Sequence, residues 1–506
     1  MVSARMLVAV RYGGRPDVEC PTKCKWAPSS RSVYCRPGPI RVAESRDTRY
    51  VRMLPVPEIS VAPIRERRTP LWIRSKDALL GSDAVIAIVV AVTAGLLAFG
   101  RLPADARNVL WAEDGRTFLE DRLRLGSWTS IFKVYEGYVH VVPRLLTDLA
   151  VWVVPLDNFA VASSLLASAT FGILAGLVYF CSRDLVSNRV FRVLLAMITV
   201  LAPVLPIEVL GNFANVHWGF LWLAPWLLLY RPRGWFDASV LGLVGLLGGL
   251  TEIQMLLFLP FAIVNLKKRK AWVIVLPTTI GVVVQLLAAL TSPRTPNNEI
   301  KPGVLDIVVG YVELPILGAF EGHSTRIQTT IMEGTSVAIL NTILALIILV
   351  FSLSPILAGK SVRLLLPFLL IVASILAWAA AIWLNPGPAW QYANLDSSEL
   401  ESFRITRYVA VPSMMVLAAI SLAAGHAFDR GGHLRFIAGV AVGIVVMGFI
   451  GSYHLETIRR DGGPEWSDSI VRLRDNCERG VAAMPIEIAP PAWNVDVSCD
   501  DVKPRR

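Results

Sequence analysis

Long apolar runs separated by short polar connections follow one another along most of the chain, from residue 84 to residue 453. Many of these runs reach about 18 to 25 residues, which is enough for a helix to cross the hydrocarbon core of a membrane. The pattern predicts an all-α polytopic membrane protein with about eleven transmembrane helices. We place these helices at 84–102, 158–181, 190–206, 217–230, 238–251, 252–266, 271–291, 335–358, 363–384, 407–427 and 435–453.

One further apolar segment, 139–155, decides the orientation of every helix that follows it. Its polar residues His140, Arg144 and Asp148 are spaced four apart and share one helical face, which is typical of a helix that lies along the membrane interface. If this segment does not cross the membrane, the connections rich in Lys and Arg, such as "LKKRK", all face the side of the N-terminus. The positive-inside rule therefore favours a cytoplasmic N-terminus and an interfacial segment 139–155.

This orientation places the first large loop, 103–157, and the C-terminal segment, 454–506, on the outer side of the cytoplasmic membrane. The C-terminal segment contains Cys477 and Cys499, and no other cysteine is predicted to face outward. An exported compartment permits disulfides, so we predict a bond between these two cysteines.

The first 83 residues do not share the apolar pattern. They are rich in Arg and Pro without sustained periodicity, which predicts a largely disordered, basic cytoplasmic tail. Cys20, Cys24 and Cys35 lie there with a spacing that resembles part of a zinc site but lacks a convincing fourth ligand. An alternative is that translation starts at Met53, in which case much of this tail is not made.

The overall composition agrees with a membrane protein. The chain is 54% hydrophobic and 17% charged, whereas soluble domains are about a quarter charged. Its net charge of +10 is expected from cytoplasmic loops of a membrane protein, so it predicts contact with membrane lipids and not with nucleic acid. No G-x-S-x-G, P-loop or H-E-x-x-H motif points to a soluble enzyme class.

An acidic pair, Glu113 and Asp114, opens the first outer loop within "VLWAEDGRTFLEDRL". A carboxylate at the membrane surface can take a proton from an attacking hydroxyl as a general base. The pair could also hold a divalent cation such as Mg, Mn or Ca against a phosphate. A simpler alternative is that Asp114 caps a helix starting at Gly115 and that Glu113 is only solvated.

Further polar and aromatic side chains lie at the predicted outer surface, where they can contact a sugar or an acceptor. Each has an ordinary structural alternative: an interface aromatic, a partner for broken backbone between two helices, or a solvated helix end. For Glu252, near membrane depth, a cavity is slightly favoured. The candidates are Tyr135, Tyr138, His140, Asn212, Asn215, His217, Trp218 and Glu252.

Several stretches together resemble the GT-C superfamily of membrane glycosyltransferases, especially those of actinobacteria. They are "WAEDGRTFLED", "YEGYVHVVPRL", "LGNFANVHW", "RYVAVPSMM" and the cysteine-bracketed ending "PIEIAPPAWNVDVSC". The resemblance extends over about residues 84 to 500 and includes the order of one helix, a large outer loop with an acidic pair, and interfacial helices. The adjacent Glu-Asp differs from the Asp-x-Asp arrangement, which leaves open which carboxylate is the base.

The resemblance implies an inverting transfer of a sugar from a polyprenyl-phosphate carrier to a hydroxyl of a cell-envelope glycan or glycolipid. Mannose and arabinofuranose are the donor sugars that it implies. Asp114 is then the first candidate for the base and Glu113 the second, and Asp114→Asn is expected to fold normally but lose transfer. Candidate cations for the leaving phosphate are Arg144, Arg407, Lys133 and Arg404, although Arg407 could also be a snorkelling side chain at a helix end.

Other functions fit parts of the pattern. A transporter or flippase for a lipid-linked sugar is one, but no internal repeat supports it. A glycan ligase or polymerase is another, because loop 292–334 contains Arg294, His323 and Arg326. A non-catalytic partner subunit is the third.

Overall fold

The computed structural model of the protein describes residues 23–26, 33–36, 83–293, 300–332, 335–359, 361–387, 390–393, 405–481 and 485–503. The chain divides into two units, Met1–Thr69 and Pro70–Arg506. In the first unit, strand β1 (Lys23–Trp26) pairs antiparallel with β2 (Val33–Arg36), and Cys24 lies opposite Cys35 in the register. Cys20 and most of the rest of the predicted disordered tail lie outside the described residues.

The described part of the second unit is almost entirely helical. Its first half contains α1 (Asp83–Gly100), α2 (Glu120–Ile131), α3 (Val141–Val153), α4 (Phe159–Cys181), α5 (Arg189–Leu201), α6 (Leu205–Glu208), α7 (Val216–Leu229) and α8 (Trp235–Gly249). A 3-10 helix, Ile253–Asn265, follows. The second half contains α9 (Arg269–Thr291), α10 (Val304–Tyr311), α11 (Ser324–Met332), α12 (Thr335–Leu353), α13 (Val362–Leu384), α14 (Ala410–Arg430), α15 (His433–Gly451), α16 (Trp466–Glu478) and the hairpin of β3 (Ile486–Ile488) with β4 (Trp493–Val495).

Eight helices among the described residues are long and apolar enough to cross a membrane. The segments at α7, α8 and Ile253–Asn265 are apolar but shorter. The last of these is a 3-10 helix and not the α-helix that the sequence predicts; at about 2 Å per residue it still extends over about 26 Å. The prediction of an all-α, multi-pass membrane protein is thus confirmed in outline.

Burial separates the central helices from the peripheral ones. In the span Arg407–Arg430, 94% of the most apolar stretch is buried, against 17% in Asp83–Gly100. The outer face of α1 carries exposed large apolar residues, among them Leu96, which is 69% exposed. Such a face suits contact with lipid chains and not with water.

Helix α3 is the amphipathic segment on which the predicted orientation depends. Its 13 residues extend over about 20 Å, which is less than the thickness of a hydrocarbon core. Arg144 points into the protein, and Asp148 contacts Arg122 and accepts a hydrogen bond from Ser127 Oγ at 2.8 Å. The opposite face presents the exposed residues Leu145, Leu149, Trp152 and Val153.

The C-terminal segment packs against the strand-like residues that precede the acidic pair. Ala112 N donates to Ala489 O at 2.6 Å, and Ala489 N donates to Leu110 O at 3.0 Å. The packing is tight at Gly115, where a Cβ atom would lie 2.6 Å from Ile488 Cδ1. The C-terminal segment therefore fixes the position of the loop that carries Glu113.

The predicted Cys477–Cys499 disulfide is present and closes this segment over 22 residues of chain. Replacing Cys477 with serine is expected to destabilise the segment by about 3 kcal/mol, because the unfolded chain regains loop entropy. Limited proteolysis of the purified protein should show faster cleavage after Glu478. Cys181→Ser, which alters a buried free cysteine in α4, is the matched control. Equal cleavage rates in both variants would contradict this role.

Candidate functional site

A small cavity of about 100 Å³ lies among the ends of several helices. The loop before and after α2, the N-terminal ends of α7 and the 3-10 helix, the residue after α13 and the residues before α14 all contribute to its wall. The lining residues are Glu113, Phe118, Tyr135, Glu136, Tyr138, His140, Ala214, Asn215, His217, Trp218, Thr251, Glu252, Gln254, Asn385, Arg407 and Tyr408.

Many residues that the sequence singles out meet in this cavity, although they are far apart in the chain. They are Glu113, Tyr135, Tyr138, His140, Asn215, His217, Trp218, Glu252 and Arg407. Asp114, Asn212, Arg144 and Lys133 do not line it, and Arg404 lies outside the described residues. The sequence reasoning missed Tyr408 and Asn385; only the position of Tyr408 beside Arg407 could have pointed to it.

Asp114 is fully buried and faces away from the cavity. Its Oδ2 accepts hydrogen bonds from Ser163 Oγ and Phe213 N, both at 2.8 Å, and its Oδ1 accepts one from Ala214 N at 2.8 Å. Asp114 is the first residue of a π-helix, Asp114–Leu119, and no side chain caps this helix, so the N-cap alternative considered for Asp114 does not hold. Its carboxylate instead holds the distant turn at residues 213–214.

Burial raises the pKa of Asp114 to about 6. The three hydrogen bonds act in the opposite direction because they favour the ionised carboxylate, and the negative charge of Glu113 adds a smaller upward shift. A raised pKa would suit a general base, but a base must also reach its substrate. The oxygens of Asp114 are occupied by protein donors and do not reach the cavity.

The turn that Asp114 holds leads into the part of the cavity formed by α7. Gly211 has a φ of +76°, a conformation that favours glycine, and Arg460 donates to its carbonyl oxygen at 3.0 Å. Asn212 Nδ2 donates to Glu208 O at 2.7 Å, and Asn212 Oδ1 accepts from Asn215 N at 2.9 Å. Asn212 therefore satisfies backbone groups of the turn, which is the structural alternative considered for it.

Glu113 is the acidic residue of the pair that faces the cavity. Its Oε1 lies 3.6 Å from Arg407 Nη1. Arg407 Nη1 also lies 3.1 Å from Glu208 Oε1, and the backbone N of Arg407 donates to Glu208 Oε2 at 2.8 Å. Arg407 thus lies between Glu113, which lines the cavity, and Glu208, which does not and which the sequence reasoning did not identify.

A second ionisable pair lies in the same cavity. Glu252 Oε2 contacts His217 Nδ1, and Glu252 Oε1 accepts a hydrogen bond from Gln254 N at 2.7 Å, which caps the 3-10 helix. The side chain of Glu252 is only 3% exposed. The structure therefore places Glu252 in a cavity and not at a solvated turn.

The "YEGY" segment forms a tight hairpin turn that brings two tyrosines to the cavity. Tyr135 and Tyr138 exchange backbone hydrogen bonds of 2.8 and 2.9 Å. Glu136 and Gly137 between them both have positive φ, as a two-residue type I′ turn requires. Two residues later His140, with a φ of +53°, is a strained non-glycine residue at the start of α3.

His140 connects the rings of the hairpin with those of α7. Its ring centroid lies 5.4 Å from Tyr138, 5.6 Å from Phe118 and 6.4 Å from His217. Burial lowers the pKa of His140 well below its usual value, with smaller contributions from His217, Arg144 and Arg407. His140 is therefore neutral at physiological pH and presents a polar aromatic surface.

Several buried polar atoms of the lining have no hydrogen-bond partner among the described residues. Buried polar atoms are nearly always paired, so these atoms are available to hydrogen-bond a polar ligand or water in the cavity. These atoms include hydrogen-bond acceptors as well as a donor, which is what a ligand with several hydroxyl groups requires. The atoms are Glu113 Oε2, His140 Nδ1, Asn215 Oδ1, Trp218 Nε1 and Gln254 Oε1.

Two of the predicted phosphate-binding cations are engaged elsewhere. Arg144 Nη1 lies 3.0 Å from Asp121 Oδ2, and Lys133 Nζ lies 2.6 Å from Asp121 Oδ1. The guanidinium of Arg144 also lies 5.3 Å from the ring centre of Phe118. Both cations therefore surround Asp121 outside the cavity lining, and Arg407 is the predicted phosphate ligand that reaches the cavity.

The described residues contain no group of three or more His, Cys, Asp or Glu side chains placed to hold a metal ion. In the acidic pair, Asp114 already accepts three hydrogen bonds from the protein. The late loop proposed for a ligase does not reach the cavity either in its described part: Glu321 contacts His323 at 2.6 Å and Arg326 at 3.3 Å.

Comparison of the chain with family models, with curated proteins and with solved structures finds no match. The functional assignment therefore depends on the residues and on the geometry of the cavity.

Proposed function

We propose that this protein is a membrane glycosyltransferase that moves a sugar from a polyprenyl-phosphate carrier to a hydroxyl of a cell-envelope glycan or glycolipid. In this proposal all eleven apolar segments cross the cytoplasmic membrane, the N-terminus is cytoplasmic, and the cavity opens on the outer side. The positive-inside pattern of the connections supports this orientation.

The observation that carries the proposal is a carboxylate and an arginine side by side in a polar, aromatic cavity. Glu113 and Arg407 are 3.6 Å apart. The unpaired acceptors and donor around them suit sugar hydroxyls, and the rings of Trp218 and Tyr408, 6.0 Å apart, offer apolar surface to a sugar ring. Acid-base chemistry and phosphate binding are thus available within one site.

Glu113 is the proposed general base. The oxygen of the acceptor hydroxyl attacks the anomeric carbon from the side opposite the phosphate, and its proton passes to Glu113. The bond from the anomeric carbon to the phosphate oxygen breaks, and its electron pair stays on the phosphate. Arg407 stabilises the negative charge of the leaving polyprenyl phosphate, and the configuration at the anomeric carbon is inverted.

The structure favours Glu113 over Asp114 for this role because only Glu113 lines the cavity. For the same reason, Arg407 is favoured over Arg144 and Lys133 as the phosphate ligand. Asp114 is proposed to shape the site indirectly, through the turn at residues 213–214 that precedes Asn215.

The test is a transfer assay with the full-length protein in liposomes. Polyprenyl phosphates carrying radiolabelled mannose or arabinofuranose are supplied as donors, with envelope glycolipids from cells lacking the gene as acceptors. We expect the label to move to the glycolipid with release of polyprenyl phosphate, and this transfer to depend on Glu113.

Two other outcomes would overturn the proposal. Movement of the intact donor across the bilayer, with no change in its linkage, would indicate a transporter. Release of polyprenyl diphosphate with transfer of a preassembled glycan would indicate a ligase or polymerase.

A further inference from the structure

Arg407 is held unequally by its two carboxylates. Glu208 contacts it twice, through the backbone N at 2.8 Å and Nη1 at 3.1 Å, whereas Glu113 contacts it once, at 3.6 Å. The second oxygen of Glu113, Oε2, is buried without a partner among the described residues. The contact with Glu208 is therefore the firmer one, and the contact with Glu113 is the one that can be exchanged.

Glu208 is itself fixed by the turn that shapes the cavity. It is the last residue of α6, and its carbonyl oxygen accepts hydrogen bonds from Asn212 Nδ2 at 2.7 Å and from Asn215 Nδ2 at 2.9 Å. Its side chain is 10% exposed, and it does not line the cavity. Glu208 can thus hold Arg407 without competing for a ligand.

Arg407 has N–H groups that neither carboxylate contacts. A guanidinium carries five N–H groups, and both ion pairs use the same nitrogen, Nη1. A phosphate can therefore approach Arg407 while Glu208 remains in place. Two negative groups, the phosphate and Glu113, would then compete for the exposed side of the same cation.

We propose that the phosphate of the lipid carrier, a diester in the sugar donor and a monoester once the sugar has left, replaces Glu113 at Arg407 when it enters the cavity, while Glu208 stays as the permanent anchor of the arginine. This inference rests on the proposed function, because it assigns a use to the released carboxylate. No proton moves in this step: one ion pair is exchanged for another. Glu113 is then free to accept the proton of the acceptor hydroxyl, so the base is released only when a donor phosphate is bound.

The exchange predicts effects of opposite sign for two variants that each remove one negative charge. Glu113→Gln removes the competitor of the phosphate, so phosphate binding should become about three- to fivefold tighter. Glu208→Gln removes the anchor of Arg407, so binding should become about tenfold weaker. A general electrostatic effect would instead make both variants bind the phosphate more tightly.

The test measures binding of farnesyl phosphate to the full-length protein in nanodiscs. Glu252→Gln is the matched control, because this carboxylate also lines the cavity but contacts His217 and Gln254. We expect the gain in Glu113→Gln to exceed the gain in the control. Inorganic phosphate and farnesol, tested separately, show whether the phosphate or the lipid chain supplies the affinity.

The inference is overturned if Glu113→Gln binds no more tightly than Glu252→Gln, or if Glu208→Gln binds as well as the wild type. Glu113→Gln keeps a polar group of the same size and decides the exchange even if Glu208→Gln fails to fold. If the wild type transfers sugar but the variants do not change phosphate affinity in the expected directions, only the proposed exchange at Arg407 is rejected. If phosphate affinity changes in the expected directions but no donor supports sugar transfer, only the glycosyltransferase function is rejected.

Discussion

Replacing Glu113 with glutamine is expected to lower the rate of sugar transfer by about 10²- to 10⁴-fold, because the acceptor hydroxyl loses its general base. Glutamine has nearly the same shape as glutamate but cannot take the proton. The measurement is the single-turnover rate of transfer from a radiolabelled polyprenyl-phosphate donor, with the protein saturated by donor.

Folding of the Glu113→Gln variant is expected to remain intact, because the one ion pair that Glu113 makes with the described residues is the long contact with Arg407. Surface or partly exposed pairs of this kind contribute about 1 kcal/mol or less. The thermal midpoint of the purified variant serves as the control. A variant that folds normally and transfers sugar at more than about a tenth of the wild-type rate would exclude Glu113 as the base.

The second large effect concerns stability, not chemistry. Asp114→Ala is expected to lower the free energy of unfolding by about 2 to 5 kcal/mol, because the buried N–H groups of Phe213 and Ala214 lose their acceptor. Ser163→Ala removes only one donor to the same carboxylate and is expected to cost about 1 kcal/mol. Thermal unfolding of the two variants in the same detergent compares these costs.

The ionisation of Asp114 adds a pH dependence of known sign. Its folded pKa of about 6 lies above the value of 3.8 that is usual for an exposed aspartate, so the folded protein binds this proton more tightly than the unfolded chain does. The resulting stabilisation is complete below pH 3.8 and declines by up to about 3 kcal/mol as the pH rises from about 4 to 6. Asp114→Asn cannot ionise, so its stability should lack this decline.

Comparison of Glu113→Gln with Asp114→Asn decides which of the two carboxylates is the general base. The sequence favours Asp114 as the base and predicts that Asp114→Asn folds but loses transfer, whereas the cavity favours Glu113. Folded Asp114→Asn is therefore expected to transfer sugar much faster than Glu113→Gln does. Faster transfer by Glu113→Gln than by folded Asp114→Asn would instead support Asp114 as the general base.

Local patterns in the chain were enough to predict a multi-pass membrane protein, the approximate positions of its apolar segments and the Cys477–Cys499 pair. These follow from local properties: the length of apolar runs, and the presence of two cysteines in one predicted exported segment. The sequence also identified candidate site residues that are far apart in the chain but line the same cavity, such as Glu113, His217 and Arg407. Once the order of the membrane helices is set, helix ends on one side of the membrane must lie near one another.

Only the tertiary structure decided which of these side chains face the cavity. Glu113 and Asp114 are adjacent, but the side chains of successive helical residues point in different directions, so one lines the cavity and the other accepts hydrogen bonds from the turn at residues 213–214. In the same way, packing against Asp121 directs Arg144 away from the cavity. Glu208 gains its role only from a contact with Arg407, 199 positions along the chain, and no local pattern in the sequence records such a contact.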